Sequence, residues 1–426
     1  MNILIIGSGG REHTFAWKIS QSPLCEHLYI APGNGGTSAC GTNLPISGTD
    51  FDSLKKAVLD KKIDLIVVGP EDPLVKGIVN YFQSDSATQH VLIVGPAQEA
   101  AQLEGSKSFA KAFMKKYGIP TASYAEFTVS NFEEGLEYIK AHSLPIVLKA
   151  DGLAAGKGVL ICNSHDEALR EFELMIRQSK FGTAGNKVVI ESFLEGIEAS
   201  VFVLTDGKSY LLLPEAKDYK RIGEGDQGLN TGGMGALSPV PFFDDALRSK
   251  IISRIVEPTV AGLKSENYNY KGFVFIGLMI NQGEPFVIEY NCRMGDPETE
   301  VVIPRIKSDL LPILIATAKA ELHAVSLDTH TQTAATVVAV SGGYPGEYAT
   351  GKVIKGLDLP SGEHSVVFHA GTKQDGDEML TSGGRVLAIT SFGNDIEEAT
   401  ERSYHLLGKL HYEGMFFRKD IGYEFK

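Results

Sequence analysis

The chain is predicted to be a multidomain protein of mixed α/β and α+β class. An N-terminal parallel α/β domain leads into a two-lobed core, and a small strand-rich domain ends the chain. Three observations predict this. Short apolar runs alternate with helical patterns over about residues 1–100, which marks a mostly parallel sheet. A glycine hairpin carrying lysines, "VLKADGLAAGKGVLI" (147–161), sits inside a compact α+β stretch. Strand patterns dominate from "AATVVAVSGGYPG" onward. The 426 residues suffice for two to four domains at roughly 100–200 residues each. Boundaries are expected at 1–104, 105–326 and 327–426, with a mobile lobe over about 122–193.

The elements follow in order. "NILIIGSGGREHTFAWKIS" reads as strand, glycine turn and helix. Leu28–Ala31, Leu65–Val68 and Leu92–Val94 read as further strands. "APGNGG", "VVGPEDP" and "IVGPAQ" stand where those strands end, the edge at which open α/β sheets carry ligands. "GSKSFAKAFMKKYG" predicts a helix that Gly118-Ile119-Pro120 stops. Residues 122–193 contain the hairpin, with strands at Ile146–Lys149 and Val159–Ile161, then a helix over about 166–178 and the strand "KVVIESFL". "EASVFVLTDGKSYLLLP" is strand-rich and precedes a glycine-rich loop, "RIGEGDQGLNTGGMGALSP". A helix near 245–265 leads to two strands, "GFVFIGLMI" and "PFVIEYN". The polar stretch 321–333 reads as a linker; "HSVVFHAGT" and "GGRVLAITSFG" read as strands, and a helix starts at about 395.

Composition excludes several classes of function. A net charge of −13, with basic residues only in short pairs such as Lys55-Lys56 and Lys220-Arg221, opposes nucleic-acid binding. No apolar stretch approaches the roughly 18 residues of a membrane span. Ile3–Ile6 precedes the first basic residue, Arg11, so the N-terminus reads as a strand rather than a signal peptide. The four cysteines form no C-x-x-C pair and are expected to be reduced thiols of a cytoplasmic protein. The histidines show no H-E-x-x-H spacing, and no G-x-S-x-G elbow occurs.

"GSGGREH" invites a dinucleotide reading, but Glu12 stands where the third glycine belongs and no acidic residue ends the second strand. Gly9, Gly10 and Arg11 are therefore read as a phosphate or substrate turn, or as a plain tight turn. The hairpin is not a P-loop either: three residues separate Gly152 from Gly156, and Gly158 follows Lys157 where Ser or Thr should stand. Such a loop folds over a polyphosphate through its backbone N–H groups, with Lys149 and Lys157 neutralising charge, or it is a mobile surface hairpin. In "VIEYNCRMGDPETE", period-two spacing puts Glu289, Asn291 and Arg293 on one strand face. Two oxygen ligands beside an arginine suit Mg²⁺ on nucleotide phosphates; the alternative is an edge strand facing water. Glu191 through Leu194, with Phe193 between, end a strand where backbone groups could pair an adenine edge, and Glu198 could hold ribose hydroxyls. "DYKRIGEGDQGLNTGGMGA" is expected to close over a ligand, which nominates Lys220 and Asp226.

Lys107, the hairpin from Lys149 to Val159, the strand at Glu191 and the Glu289-x-Asn291-x-Arg293 strand together resemble the ATP-grasp superfamily. "GGREH", "APGNGG", "VGPEDPLVKGI", "LEGSKSFAK", "KADGLAAGKGV", "NTGGMGA", "NCRMGDPETE", "GGYPG", "HAGT", "GGRVL" and "RKDIGY" follow, in order along the whole chain, the motifs of its phosphoribosylamine–glycine ligase family. Many ATP-grasp proteins carry a further metal carboxylate on the strand before the Glu-x-Asn pair; "GFVFIGLMI" has none, as in that ligase family. The resemblance implies a two-lobed ATP-grasp core and a cytoplasmic ligase of purine biosynthesis, monomeric or homodimeric. It would join 5-phosphoribosylamine to glycine through glycyl phosphate, with ATP as co-substrate and Mg²⁺ or Mn²⁺ on Glu289 and Asn291. ATP would meet Lys107, Lys149, Gly152, Gly156, Lys157, Gly158, Glu191, Phe193, Leu194 and Glu198. Arg293 would stabilise the acyl phosphate or bind the glycine carboxylate, with Lys220 and Asp226 as further catalytic candidates. Gly9, Gly10, Arg11, Asn34, Gly35 and Glu71 would face phosphoribosylamine. Other classes stay open at this point: a different ATP-grasp ligase, a nicotinamide oxidoreductase, and a nucleotide-binding module without catalysis.

Overall fold

The computed structural model describes residues 1–153, 158–178, 180–359 and 362–425. Its first sheet contains β1 (Asn2–Gly7), β2 (His27–Pro32), β3 (Thr42–Asn43), β4 (Leu65–Val68) and β5 (Leu92–Val94). The order is β3-β2-β1-β4-β5, and every pairing is parallel. Ile3–Ile6 and Leu65–Val68 are buried because both faces of such a sheet are covered. The strand order reverses at β1, so the loops after β1 and β4 share one crevice. Gly9–Arg11 and Gly69–Glu71 lie there, where each loop passes into the helix that follows, Gly10–Ile19 or Glu71–Val75.

The sheet feeds the helix Lys107–Lys116, capped by Ser106, whose Oγ accepts from the Phe109 N–H at 3.1 Å. A separate lobe follows. Its strands β6 (Tyr124–Thr128), β7 (Ile146–Ala150), β8 (Val159–Cys162) and β9 (Lys187–Ser192) run antiparallel in the order β6-β9-β7-β8. Helices Phe132–Ala141 and His165–Ile176 back it, and Phe127, Phe172, Val188 and Ile190 belong to a core of its own. A lobe with a private core can shift as a body.

β10 (Ile197–Thr205) and β11 (Tyr210–Leu212) begin the second lobe. Then come β12 (Lys217–Asp218), the glycine-rich hairpin β13 (Arg221–Gly223) and β14 (Gln227–Asn230), and β15 (Gly235–Ser238). The helical stretch near 245–265 is two α-helices, Asp245–Ile251 and Glu257–Ser265, joined by a π turn at Ile252–Val256. β16 (Gly272–Asn281) and β17 (Glu284–Asn291) complete the sheet β11-β10-β16-β17.

The C-terminal strands are β18 (Thr333–Val340), β19 (Ser365–His369), β20 (Thr372–Asp375), β21 (Glu378–Thr381) and β22 (Arg385–Gly393), followed by the helix Ile396–Leu407. They do not form a sheet alone. The order β12-β15-β18-β22-β19 joins two strands from before residue 326 to three from after it.

Candidate active site

A cavity of about 690 Å³ lies where the N-terminal sheet, both core lobes and the C-terminal strands meet. Lys107, Lys149, Gly152, Gly158, Glu191, Lys220, Glu289, Asn291 and Arg293 line it, together with Arg11 and Glu71. Gly156 and Lys157 lie outside the described residues.

The lysines come from β7, from the helix Lys107–Lys116 and from the link between β12 and β13. Lys149 stands one residue before the end of β7, and its Nζ meets Glu191 Oε2 of β9 at 3.0 Å. Lys111 reaches the same oxygen at 3.1 Å from the helix Lys107–Lys116 and donates to Thr121 Oγ1 at 2.7 Å. All three groups are buried, so each charge needs the other two. Burial pushes the Lys111 ammonium down to about 8, although Glu191 opposes the shift. Lys107 donates to the Gly152 carbonyl at 2.9 Å; burial lowers its pKa while Glu289 acts against this. Beside it, Asp151 ties the root of the hairpin to the helix start. Its carboxylate accepts from the Ser106 hydroxyl at 3.0 Å, the Ser108 N–H at 3.0 Å and the Ser108 hydroxyl at 2.8 Å.

On β17 the regular alternation is broken. Glu289 pairs with Gly277 and Val287 with Leu278, so Ile288 is an extra residue, a β-bulge. Before it, Pro285 and Val287 point into the core; after it, Tyr290 does, and Glu289 and Asn291 turn to the cavity. Arg293 lies just beyond the strand. Its Nη2 donates to Glu104 Oε1 at 2.7 Å, its Nε to Glu71 Oε2 at 3.2 Å and its Nη2, more distantly, to Asn291 Oδ1 at 3.4 Å. Burial would raise the Glu71 carboxyl, but Arg293 and Arg11 hold it below the usual range. The edge of β17 is covered: the Val287 N–H donates to the Pro120 carbonyl at 2.8 Å.

Lys220 stands on the cavity wall with its Nζ 2.6 Å from Glu198 Oε2. Burial works against its charge, yet Asp218, Glu198 and Glu289 hold its pKa well above the ordinary value. Glu198 does not line the cavity; it holds a lysine that does. Asp226 lies elsewhere. It receives Arg418 Nη1 at 2.6 Å and the Tyr423 hydroxyl at 3.2 Å, which fastens the β13–β14 hairpin to the C-terminal segment. Phe193 and Leu194 also lie outside the cavity lining, Phe193 exposed and Leu194 half-buried between β9 and β10.

The N-terminal loops divide. Arg11 lines the main cavity and donates from Nη1 to the Met294 carbonyl at 3.0 Å. Glu12 folds back under the turn, accepting from the Gly9 N–H at 2.6 Å and Arg11 Nε at 2.5 Å. A Cβ on Gly69 would stand 2.0 Å from Glu12 Oε1, so this carboxylate fills the crevice a dinucleotide pyrophosphate would need. Gly9 and Asn34 line a second cavity of about 370 Å³, which shares Asp296, Tyr344 and Arg385 with the first. Asn34 is already occupied: its Nδ2 donates to the Ser8 carbonyl at 2.9 Å and the His369 carbonyl at 2.7 Å, and its Oδ1 accepts from the Gly36 N–H at 2.9 Å. Gly10 and Gly35 line neither cavity; the Gly35 N–H donates to the Thr372 carbonyl at 3.1 Å.

Sequence reasoning missed Glu104, Lys111, Asp151, Asp218, Asp296, Glu298 and Arg385. All but Asp151 line the main cavity. Asp296 and Glu298 stand in "GDPETE" and Arg385 in "GGRVL", stretches whose presence was noted but whose side chains had no predicted place. Only the fold brings Arg385 Nη2 to Asp296 Oδ1 at 3.0 Å.

Three family descriptions match consecutive parts of the chain. They are the phosphoribosylglycinamide synthetase N domain at residues 1–104, its ATP-grasp (A) domain at 105–299 and its C domain at 334–424. The chain is 47% identical to the phosphoribosylamine–glycine ligase of Chlorobaculum tepidum, covering 99% of both chains. It is 46% identical to that of Escherichia coli strain K12, covering 99% of this chain and 98% of the other. The crystal structure of the Thermotoga maritima phosphoribosylamine–glycine ligase superposes with a TM-score of 0.86 at 36% identity, covering 99% of this chain and 100% of that one. A biotin carboxylase domain from Hydrogenobacter thermophilus shares the fold at a TM-score of 0.73 and 17% identity, with 97% and 91% of the two chains covered. The chain belongs to the phosphoribosylglycinamide synthetase family of ATP-grasp phosphoribosylamine–glycine ligases.

Proposed function

We infer that the chain is an ATP-dependent carbon–nitrogen ligase. It joins 5-phosphoribosylamine to glycine and yields glycinamide ribonucleotide, ADP and phosphate, a step of purine biosynthesis. The observation that carries this reading is one cavity, in a chain of this family, where Lys107, Lys149, Lys220 and Arg293 face Glu289 and Asn291. A carboxylate is a poor electrophile, so glycine must be activated. One of its carboxylate oxygens attacks the γ-phosphorus of ATP, and ADP leaves. The amine of phosphoribosylamine then attacks the carbonyl carbon of glycyl phosphate, and phosphate leaves as the C–N bond forms.

Phosphoryl transfer is chiefly positioning and charge stabilisation. Lys107 and Lys149 hold ATP phosphates, and the glycine hairpin, rooted through Asp151, closes over them. Glu191 orients Lys149, while the chain at Phe193 and Leu194 runs beside the adenine. Arg293, braced by Glu104 and Glu71, meets the glycine carboxylate or the acyl phosphate that replaces it. Closure excludes water, which would otherwise hydrolyse the acyl phosphate. Phosphoribosylamine occupies the second cavity and the wall around Gly9, Arg11 and Glu71.

Glu289 and Asn291 fit a Mg²⁺ or Mn²⁺ ion: both are hard oxygen donors on one cavity-facing stretch of β17. Among the described residues no group of three or more His, Cys, Asp or Glu could hold a metal. Bound there, the ion would neutralise charge on the β- and γ-phosphates. Asp226 serves this reading by holding the glycine-rich hairpin, and Gly10, Asn34 and Gly35 by shaping the turns beside the substrate. Three functional domains at 1–104, 105–326 and 327–426, a cytoplasmic location and a monomeric or homodimeric state belong to the same proposal. Among the described residues no helix is long and apolar enough to cross a membrane.

The test is phosphate release from ATP and a divalent metal, with glycine and freshly generated phosphoribosylamine each present or withheld. Release only with both supports the ligase. Release with a different acid or amine pair would reassign the substrates.

A further inference from the structure

One buried carboxyl has no part in the chemistry above. Glu300 lies in the first turn of the helix Thr299–Arg305 and is shielded from solvent, at 0% exposure. Among the described residues neither of its oxygens receives a hydrogen bond. It stands outside both cavities, behind the wall that they share. Its backbone is fixed there, since the Thr390 hydroxyl of β22 donates to its carbonyl at 2.9 Å. Its side chain packs under the turn after β1: a Cβ on Gly10 would collide with Glu300 Oε1. A buried polar group without a partner costs stability, so this one needs a physical reason.

The group within its reach is a second carboxyl, Asp296, which lines both cavities. Asp296 is well supplied with donors. Arg385 Nη2 meets its Oδ1 at 3.0 Å, and the Arg11 N–H donates to its Oδ2 at 3.3 Å. Burial would raise Asp296, but Arg385 and Arg11 hold it below the usual carboxylate range, and a hydrogen bond from Glu300 works in the same direction. Glu300 is the reverse case. Burial and the charge of Asp296 push it well above that range against the pull of Arg385, and Glu298 adds to the rise. Arg385 is already engaged: its Nη1 donates to the Gly232 and Asp296 carbonyls at 2.5 and 2.6 Å. Two adjacent buried carboxyls do not both ionise. The proton therefore rests on Glu300, and a protonated carboxyl is a donor.

Resting on the ligase reading, we propose that Glu300 is a positioning residue: as a neutral acid it donates a hydrogen bond to Asp296 and holds the Asp296–Arg385 pair on the wall between the two cavities. That pair borders the second cavity, where phosphoribosylamine docks, and the main cavity, where its amine must meet glycyl phosphate. Without the donor behind it, Asp296 keeps its charge and loses its rear support. It can then swing away from Arg385 and from the turn at Gly9–Arg11, and the phosphoribosylamine wall loses its shape.

Glu300→Gln keeps a donor, because the amide Nε2 stands where the acid proton was. Glu300→Met keeps the length and removes the donor. In steady-state phosphate release the Gln variant should hold its KM for phosphoribosylamine within about twofold of the parent. The Met variant should raise that KM about fivefold or more, with the KM for ATP within about twofold. The proton itself is read by carbon-13 NMR of the glutamate-labelled chain, with the Glu300 carboxyl assigned by its loss in the Gln variant. Its shift should be that of a neutral acid and stay unmoved between about pH 6 and 9. A carboxylate shift in that range, a Gln variant as impaired as the Met variant, or a Met variant with an unchanged KM for phosphoribosylamine would overturn the assignment. Thermal unfolding identifies loss of fold; if Glu300→Met does not fold, the Gln kinetics and the carboxyl shift decide between them. A parent chain that released no phosphate with both substrates would defeat the ligase reading and the role at the phosphoribosylamine wall, whatever the carboxyl shift.

Discussion

At Glu191 a single carboxylate oxygen receives both Lys149 and Lys111, inside the lobe boundary and away from water. Lys149 also donates to the Ile288 carbonyl at 3.2 Å, so it links β7, β9 and the bulge of β17. Lys149→Ala therefore removes a phosphate-facing charge and leaves Glu191 with one partner. The apparent KM for ATP should rise by about tenfold or more, read by initial rates at saturating glycine. Breaking a buried pair also costs roughly 3–5 kcal/mol of stability, which denaturant unfolding would register. Glu289→Ala is expected to abolish turnover while leaving the unfolding midpoint close to that of the parent, because this carboxylate faces the cavity rather than the core. Turnover near the parent rate would remove Glu289 from the proposed metal site.

Among the elements, two short features aim the site. The bulge at Ile288 lets the strand bury Val287 on one side and still present Glu289 and Asn291 to the cavity. The second feature is Asp151, which fastens the root of the hairpin to the start of the helix Lys107–Lys116 through hydrogen bonds from Ser106 and Ser108. Asp151→Ala should loosen the hairpin without touching the lobe core. Amide exchange over 146–162 should quicken, and the KM for ATP should rise by roughly three- to tenfold. Exchange at the parent rate would show that the hairpin root is held by its strands alone.

For the molecule as a whole, the N-terminal helix and the C-terminal sheet meet at a buried histidine pair. The His369 N–H donates to His13 Nδ1 at 2.8 Å, and the two rings lie 5.5 Å apart. Burial and the neighbouring His369 lower His13 to about 3, and burial lowers His369 to about 4. Unfolded histidine titrates near 6.5, so below that pH the unfolded chain binds protons that the native chain refuses. Stability is full above pH 6.5 and falls as the pH drops toward 4. At pH 5 the pair should cost about 4 kcal/mol, seen as a falling melting temperature. A variant with Asn at both positions should lose most of that acid limb; an undiminished limb would place the acid sensitivity elsewhere.

The sequence by itself determined the elements whose cause is local. Apolar runs and glycine turns set β1, β4 and β5, the capped helix at Lys107 and the hairpin strands near their observed ends. Ordered motifs along the chain carried the family, and spacing carried Glu289, Asn291 and Arg293. The tertiary structure decided what depends on distant partners. It tied Asp226 to Arg418, spent Asn34 on Ser8 and His369, and left Gly10 and Gly35 outside both cavities. It brought Glu104 and Lys111, from two consecutive helices, to the same site as the distant Arg385, and it paired β15 with β18 across the expected domain boundary. Local propensity acts within a few residues, whereas a buried charge takes its partner from whatever the completed fold places beside it.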